Sequence, residues 1–239
     1  MKLALFGHGA MGQLVEARAR DEGHEIGLVI TSHDAARTAV EIAEELRGHD
    51  AAIDFSTASA VLRNIEACAL AHVPLVEGTT GWNDQIEIVR RIVAERDGAL
   101  VFGANFSVGV QIFYRVVARA AELFAMVEGY ESFIEEAHHS RKRDAPSGTA
   151  LKLKEILAAR LNDQNISVAS TRAGHIPGTH RVGFDSAADQ ITLAHAARTR
   201  EGFAAGALIA ARWIQGRRGV YEFAEVMDEI LKGSLKSGV

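Results

Sequence analysis

The sequence predicts an α/β fold in which a doubly wound parallel sheet is joined by an inserted α+β domain. Three observations predict it. Short apolar runs alternate with helix-length segments over the first hundred residues, a glycine-rich turn follows the first run, and this rhythm changes after Phe106. Near-continuous apolar strands separated by amphipathic crossovers are typical of a parallel sheet that is covered on both faces.

Five apolar runs, bounded mostly by Gly, Ser or Asp, are the predicted strands of this sheet. They are Leu3–Phe6, Ile26–Ile30, Ala51–Phe55, Leu75–Val76 and Leu100–Phe102. The segments between them predict helices at Gln13–Glu22, Ala60–His72 and Asp84–Arg96. Gly23 and Gly98 stand at the expected helix C-caps, and Ser59 is placed to start the second helix.

The second half of the chain has fewer crossovers and more consecutive strands, which indicates an α+β unit. The predicted elements are helices at Val108–Phe124 and Ala150–Leu161, strands at Tyr130–Ala137, Ile166–Ser170 and Gln190–Ala194, and closing helices at Phe203–Ile214 and Ala224–Leu231. We therefore expect a first domain of residues 1–107 plus 201–239 and an inserted domain of residues 108–200.

Composition excludes several classes of protein. Of 239 residues, 48% are hydrophobic and 24% charged, with 3 prolines, so the chain can bury a substantial core. A net charge of −5 disfavours a protein that binds nucleic acid or an anionic membrane surface. A single cysteine, Cys68, excludes an internal disulfide framework and multi-cysteine metal sites. With no signal-peptide pattern and no membrane-length apolar stretch, we expect a soluble, cytoplasmic protein.

The glycine-rich turn Gly7-His8-Gly9-Ala10-Met11-Gly12 follows the first strand directly and opens a helix. In this context G-x-G-x-x-G indicates a Rossmann-type dinucleotide site, with the pyrophosphate on the helix N-terminus. A purely structural glycine turn is the alternative. The carboxylate that reads the ribose of NADH is expected near Thr31, where the sequence reads Thr31-Ser32-His33. The missing carboxylate, together with Arg37, slightly favours NADPH.

Two further loops follow predicted strands at the carboxyl edge of the sheet, where open α/β sheets bind their ligands. They are Gly78-Thr79-Thr80-Gly81 and Gly103-Ala104-Asn105-Phe106-Ser107. Either loop alone is a weak signal. Together they fit a nicotinamide ribose and its ring.

The densest group of functional side chains lies between Glu135 and Ala150. Ser147 can cap the following helix, whose first N–H groups, at Gly148 and Thr149, form a cradle for a carboxylate. Lys142 adds a positive charge and a proton, and His138 or His139 titrates near neutrality. A solvated loop, a metal site and a nucleic-acid site are the alternatives. Strand alternation turns the two histidine rings apart and the loop also carries acidic residues, which disfavours the last two.

The motifs together closely resemble the dihydrodipicolinate reductase family, also called 4-hydroxy-tetrahydrodipicolinate reductases, over nearly the full length. The motifs that carry the resemblance are GHGAMG from Gly7, DFS at Asp54–Ser56, EGTTG at Glu77–Gly81, ANFSVG at Ala104–Gly109 and EAHHSRKRDAPSGTA at Glu136–Ala150. The family pattern commonly has an arginine where this chain has Ala10 and an acidic residue where it has Thr31. The inserted domain is also shorter.

The resemblance implies an NAD(P)H-dependent reductase that acts on a cyclic imine dicarboxylate in the diaminopimelate route to lysine. It implies His138 and Lys142 as catalytic residues, and substrate binding by His139, Ser147, Gly148, Thr149 and Arg200. It implies a cofactor site formed by Gly7, Gly9, Ala10, Met11, Gly12, Gly78, Thr79, Thr80, Gly103, Ala104, Asn105 and Phe106. To these we add His8 of the glycine turn and Thr31 and Ser32 at the end of the second strand. The family is commonly a homotetramer assembled through the inserted sheet, and no metal is expected.

Two other functions stay open at this stage. One is a dehydrogenase of another small amino or imino dicarboxylate, such as aspartate, on a similar two-domain plan. The other is a non-catalytic regulator that senses a dinucleotide. A regulator is expected to have lost the His138 and Lys142 cluster while keeping the glycine turn, and both are present here.

Overall fold

The computed structural model of the chain describes residues 1–236, which hold ten strands and eight α-helices. The strands are β1 (Lys2–Phe6), β2 (Glu25–Ile30), β3 (Ala51–Asp54), β4 (Leu75–Glu77), β5 (Ala99–Phe102), β6 (Glu131–His138), β7 (Ser167–Arg172), β8 (Thr179–Asp185), β9 (Gln190–Ala196) and β10 (Gly219–Glu222). The helices are α1 (Ala10–Asp21), α2 (Ala39–Leu46), α3 (Val61–Ala71), α4 (Ile86–Glu95), α5 (Val108–Phe124), α6 (Gly148–Leu161), α7 (Glu201–Trp213) and α8 (Phe223–Lys236).

The chain forms two compact units. The first unit comprises residues 1–108 together with the chain from Arg200 onward, and the second comprises Gly109–Thr199. No helix within residues 1–236 combines the length and the apolarity that crossing a bilayer requires.

The first unit contains a parallel six-stranded sheet in the order β2-β1-β3-β4-β5-β10. Alternate residues of its strands face two separate apolar layers. Leu3 and Leu5 pack with α1, α7 and α8, whereas Ala4 and Phe6 pack with α2, α3 and α4. This confirms the predicted doubly wound sheet. The chain moves from β1 to β2 on one side and then to β3 on the other, so the ends of β1 and β3 form the topological switch point.

The second unit contains a four-stranded sheet in the order β7-β6-β8-β9, in which only the β6–β7 pair is parallel. One face of this sheet packs against α5 and α6 through Ile134, Val182 and Phe184. Phe184 also stacks on Phe124 of α5, with ring centroids 4.2 Å apart. This mixed sheet is the α+β architecture that the sequence predicts.

Three elements and two helix ends differ from the prediction. Sequence periodicity did not indicate α2, β8 or β10. The left-handed residue after α4 is Asp97 (φ +54°) rather than Gly98, whose N–H instead closes the helix on the Val93 carbonyl at 2.8 Å. Ser59 lies inside a short 3-10 turn (Ala58–Ala60), and α3 begins at Val61.

Candidate active site

The glycine turn after β1 has a backbone that other residues cannot reproduce. Gly7 has φ +85°, and a Cβ there would lie 2.5 Å from the Phe55 carbonyl oxygen. A Cβ on Gly12 would lie 2.1 Å from the Gly7 carbonyl oxygen. The turn and the first turn of α1 are therefore held in close contact by the absence of two side chains.

The N-terminus of α1 is open. Gly9 is its N-cap, no side chain caps the helix, and the first turn holds no acidic residue. A Cβ on Gly9 would meet nothing within 4 Å. Helix N-terminal N–H groups carry partial positive charge, so this end fits the pyrophosphate of a dinucleotide. His8, on the exposed side of the turn, is held by Glu16 at 2.6 Å.

The two other predicted cofactor loops meet around Phe55 at the same sheet edge. A Cβ on Gly78 would lie 2.2 Å from the Phe55 ring, and the Phe55 and Phe106 rings contact edge to face with centroids 6.2 Å apart. Phe106 is buried, so its side chain packs the core of this unit. Thr80 and Ala104 are exposed at the loop tips, and Asn105 accepts a hydrogen bond from the Ser107 N–H at 2.9 Å.

A tight turn forms at the end of β2, where the ribose is expected. Asp34 accepts hydrogen bonds from the Thr31 N–H at 2.9 Å and from its hydroxyl at 3.3 Å, while Arg37 binds the other carboxylate oxygen at 3.4 Å. The backbone hydrogen bond from Thr31, followed by the Arg37 contact, lowers the pKa of Asp34. Ser32 is exposed beside them. A carboxylate is thus present near Thr31, although the sequence places it three residues later.

In the second unit, strand register brings four titratable side chains together on one sheet face. Glu136 and His138 are two residues apart in β6 and so share a face. His180 of β8 is paired with Glu136, and Arg172 of β7 is paired with His138. These four residues come from three strands and from positions up to 44 apart in the sequence.

Glu136 and His138 form a buried hydrogen-bonded pair through Oε2 and Nδ1. Burial alone would raise the pKa of Glu136, but hydrogen bonds from Arg172 and Ser170 and the nearby positive charges lower it to about 2. Burial lowers the pKa of His138 despite the opposing effect of Glu136. Near pH 7 these effects favour the neutral imidazole, and the ionised Glu136 favours the tautomer that carries its proton on Nδ1. Its Nε2 has no hydrogen-bond partner within residues 1–236.

Lys142 and Arg172 supply positive charge beside this pair. The Lys142 ammonium binds Asp144 at 2.8 Å, and this hydrogen bond is the main cause of the lowered pKa of Asp144. The Arg172 guanidinium donates to Glu136 Oε1 at 2.7 Å. Lys142 also lies near enough to His138 that its charge helps to lower the pKa of the imidazole.

The N-terminus of α6 has the cap that the sequence predicts. The Ser147 hydroxyl accepts a hydrogen bond from the Ala150 N–H at 3.3 Å and contacts His180 Nε2 at 3.1 Å. Gly148 is exposed, with open space where a side chain would stand, and the Thr149 side chain hydrogen-bonds Tyr114. The first turn of α6 can therefore receive an anion beside the pair formed by Glu136 and His138.

Ligand atoms of Glu136, His138 and His180 lie within 4.8 Å of one another, a spacing that a metal ion could use. Each residue is already hydrogen-bonded, and the Arg172 cation occupies the second oxygen of Glu136. A cation beside that guanidinium would be repelled. The arrangement is therefore better suited to proton transfer than to metal binding.

The remaining predicted residues are placed differently. His139 is half-buried, and its Nδ1 is buried with no hydrogen-bond partner among the described residues. Arg200 belongs to the first unit, where it is the N-cap residue of α7. Cys68 is buried and free, as its position on an apolar helix face predicts. Sequence reasoning assigned no role to Glu136, Arg172 or His180, although the two-residue spacing of Glu136 and His138 was a usable signal.

Comparison with known proteins gives one consistent result. The family described as "Dihydrodipicolinate reductase, N-terminus" matches residues 1–106, and "Dihydrodipicolinate reductase, C-terminus" matches residues 109–227. A 4-hydroxy-tetrahydrodipicolinate reductase of Christiangramia forsetii is 33% identical over 97% of this chain and 100% of its own length. One from Neisseria gonorrhoeae is 33% identical over 89% of this chain and 83% of its own.

A solved structure agrees with the fold. Dihydrodipicolinate reductase from Paenisporosarcina sp. TG-14, solved with dipicolinate bound, superposes with a TM-score of 0.75 at 19% identity, covering 93% of this chain and 97% of its own. At this identity the likeness shows the fold alone. The two family matches together span both units, and the chain therefore belongs to the dihydrodipicolinate reductase family.

Proposed function

We propose that this chain is an NAD(P)H-dependent reductase that converts 4-hydroxy-tetrahydrodipicolinate or dihydrodipicolinate, a cyclic imine dicarboxylate, to tetrahydrodipicolinate in the diaminopimelate route to lysine. The residue range 1–107 plus 201–239 is assigned to the cofactor and the range 108–200 to the substrate and to assembly. The observation that carries the proposal is the buried Glu136–His138 pair beside Lys142 and the N-terminus of α6. A regulator that had lost catalysis would have no reason to keep it.

The glycine turn and the open N-terminus of α1 fit the cofactor. Bound there, reduced nicotinamide supplies the hydride. The pyrophosphate would lie against the first-turn N–H groups of α1, with His8, Ala10 and Met11 beside it. The loops at Gly78–Gly81 and Gly103–Phe106 would hold the nicotinamide end.

The second unit would bind the substrate and supply the proton that the reduction requires. The first turn of α6, at Gly148 and Thr149 with Ser147, would bind one carboxylate, and His139 and Arg200 would contact the substrate. The Lys142 ammonium would stabilise negative charge that develops during hydride transfer and would donate a proton. His138 begins neutral, with Nε2 able to accept a proton. The charge of a bound dicarboxylate would favour protonation there, which would turn His138 into a donor.

The test is steady-state reduction of freshly prepared synthase product, followed by the absorbance of each reduced nucleotide. We expect Lys142→Met and His138→Gln to lower kcat by about 10²–10⁴-fold. Lys152→Met, on the exposed side of α6, is the matched control and should leave kcat unchanged. Wild-type turnover of aspartate but not of the cyclic imine would instead support the dehydrogenase alternative. Near-wild-type rates in both variants would contradict the assignment.

We also propose a slight preference for NADPH over NADH. Both oxygens of Asp34 are engaged by Thr31 and Arg37, which leaves this carboxylate poorly available to ribose hydroxyls. The Arg37 guanidinium also binds Glu45, so a 2′-phosphate would bind there by taking over one of the carboxylate contacts of Arg37. We expect Arg37→Ala to lower kcat/KM for NADPH by about tenfold and for NADH by less than about twofold, on the order of one charge-assisted contact. Exposed Arg47 is the control position, and equal losses for both nucleotides would refute the preference.

We propose that the chain assembles as a homotetramer through the four-stranded sheet. Strands β7 and β9 are mostly exposed, and Ile191 on β9 is 46% exposed, so the sheet offers surface for a second copy. Light scattering after size exclusion tests this, and a monomer mass would refute it.

We place the reaction in the cytoplasm. The single cysteine is unpaired and buried, which suits a reducing compartment. Cell fractionation that recovers the chain with membranes or outside the cell would refute this placement.

A further inference from the structure

Two buried carboxyl groups stand side by side at the carboxyl edge of the parallel sheet, and no role has been given to either. Asp54 ends β3 and Glu77 ends β4, and the two residues are paired in register. Both are fully buried. No lysine, arginine or histidine forms an ion pair with either of them within residues 1–236.

The donors around the pair are distributed unequally. Asp54 accepts hydrogen bonds from the Ser56 N–H at 2.7 Å and the Asn64 amide at 2.7 Å, on different oxygens. Glu77 accepts one on Oε1, from the Thr79 N–H at 2.6 Å. Its Oε2 is buried and receives no donor from the described residues. Burial raises the pKa of Asp54, but these donors oppose that rise and make Asp54 the better stabilised carboxylate of the two. Glu77 has one oxygen that receives no hydrogen bond from the described residues.

A proton on Glu77 Oε2 removes this deficiency. The two carboxyl groups are in hydrogen-bonding contact, and an O–H on Glu77 would donate to Asp54. Two adjacent buried carboxylates without a cation cannot both ionise at an acceptable cost. Burial first, and then the charge of Asp54, raises the pKa of Glu77 well above its ordinary value. Among the described residues the Cys68 thiol of α3 also faces them, and its pKa is raised by its own burial and then by both carboxyls.

Thr79 is the residue that this pair fixes. Its N–H donates to Glu77, its hydroxyl donates to Asp54 at 3.3 Å and accepts from the Ser56 N–H at 3.1 Å, and its carbonyl accepts from the Trp82 indole at 2.8 Å. Thr79 is the second residue of the Gly78–Gly81 loop. Its backbone and side chain are thus both tied to the ends of β3 and β4, and Thr80 is left exposed at the tip.

We propose that Asp54 and Glu77 share one proton and act together as a positioning pair, which holds Thr79 so that the Gly78–Gly81 loop keeps the shape that receives the nicotinamide end of the cofactor. This inference rests on the proposed function for the identity of the ligand. Neither residue touches the reacting atoms. Glu77 acts as a neutral acid through Thr79, so an amide of the same shape should replace it.

The experiment compares Glu77→Gln with Glu77→Leu in the full chain. Gln keeps an acceptor for the Thr79 N–H and a donor toward Asp54, whereas Leu keeps neither. We expect the Kd of reduced nucleotide, from fluorescence titration, to change by less than about twofold in the Gln variant and to rise about tenfold in the Leu variant, as loss of a buried hydrogen bond predicts. The KM for the dicarboxylate should stay the same in both.

A second readout reports the proton directly. Infrared spectra at pH 7 should contain the carbonyl stretch of a protonated carboxylic acid in the wild type, and this band should be absent in Glu77→Gln. If Glu77→Leu does not fold, Thr79→Val removes the hydroxyl contacts with Asp54 and Ser56 while it keeps the Thr79 N–H. We expect that variant to bind nucleotide several-fold more weakly with an unchanged circular dichroism spectrum.

The outcomes separate this inference from the proposed function. A missing carboxylic-acid band in the wild type, or a tenfold loss of affinity in Glu77→Gln, would overturn it even in an active reductase. Wild-type binding that is weakened in Glu77→Leu would support it even if the chain reduced a different substrate. A wild type that binds no reduced nucleotide would overturn the proposed function and the positioning role together. The infrared band would still show whether Asp54 and Glu77 share a proton.

Discussion

The shared proton at Asp54 and Glu77 makes a quantitative prediction about stability. In the folded state the pair retains one proton, whereas in the unfolded chain both carboxyl groups are ionised above about pH 6. A group whose pKa is raised by folding stabilises the native state at low pH and loses this contribution as pH rises toward its folded pKa. A difference of one proton corresponds to about 1.4 kcal/mol for each pH unit.

Glu77→Gln should remove this dependence because glutamine does not titrate, and its amide would donate to Asp54 and so favour the ionised form of that carboxyl. Between pH 6 and pH 8 we expect the wild type to lose up to about 2.7 kcal/mol of unfolding free energy that the variant keeps, the limit reached when the folded pair holds its proton over the whole range. For a unit of this size the difference corresponds to a change in Tm of roughly 5–11 °C. Glu87→Gln, at an exposed position of α4, is the matched control and should follow the wild-type profile.

The assay is urea unfolding followed by tryptophan fluorescence at several pH values. Both tryptophans, Trp82 and Trp213, belong to the first unit, so their signal reports the unit that contains the pair. Trp82 is fully buried and bonds to the Thr79 carbonyl, which places the probe beside the perturbation. Parallel pH profiles for the wild type and Glu77→Gln would refute the shared proton.

Three other predictions test the rest of the site. Because His138 starts neutral, binding of dipicolinate near pH 7 should take up as much as about one proton, so the calorimetric heat of binding should vary with the ionisation enthalpy of the buffer. His138→Gln should abolish this variation, and a wild-type heat that does not depend on the buffer would contradict the proposed protonation. Burial, followed by the charge of His138, lowers the pKa of His180 to about 4, so His180 should lower the free energy of unfolding by up to about 3 kcal/mol as pH falls from 6.5 toward 4. His180→Gln should flatten that part of a stability profile measured by circular dichroism, and an unchanged profile would show that His180 is already charged in the native protein. Gly9→Ala should change Tm by less than about 2 °C because its Cβ meets open space, but it should raise the Kd of reduced nucleotide about tenfold, and an unchanged affinity would argue against the pyrophosphate position. Gly12→Ala should lower Tm because its Cβ would clash with Gly7.

Local patterns predicted most of the elements, since their signals lie within a few residues. The apolar stripe of α5 gave both of its bounds, and Ser147 was identified as a cap from its position before α6. The short α2 was missed although Thr38 and Glu41 form a capping box, a signal that is readable in the sequence. Strands β8 and β10 carry Gly183 and Gly219, which weaken a strand pattern, so pairing with neighbouring strands decides their conformation.

The contacts within the site were less predictable because they depend on register between distant strands. His138 and Lys142 belong to one motif, but the partners of His138 come from that motif and from two strands that follow it. Asp54 and Glu77 each stand in a recognisable motif, and only the pairing of β3 with β4 brings their carboxyls together. A single sequence contains the residues of such a pair but not the register that joins them.

Glu77 and Glu136 show how one residue type, hidden from solvent in both units, serves opposite purposes. Both side chains are buried, and burial alone would raise the pKa of each. Glu136 faces Arg172 and His138, so it stays ionised and can orient an imidazole, whereas Glu77 faces Asp54 and keeps its proton. Stability associated with Glu136 is lost as pH falls from about 4.5 toward about 2, and that associated with Glu77 is lost as pH rises. The loss of stability at low pH and the loss at high pH are therefore expected to arise in different units, because the buried carboxyl of each unit has a different partner.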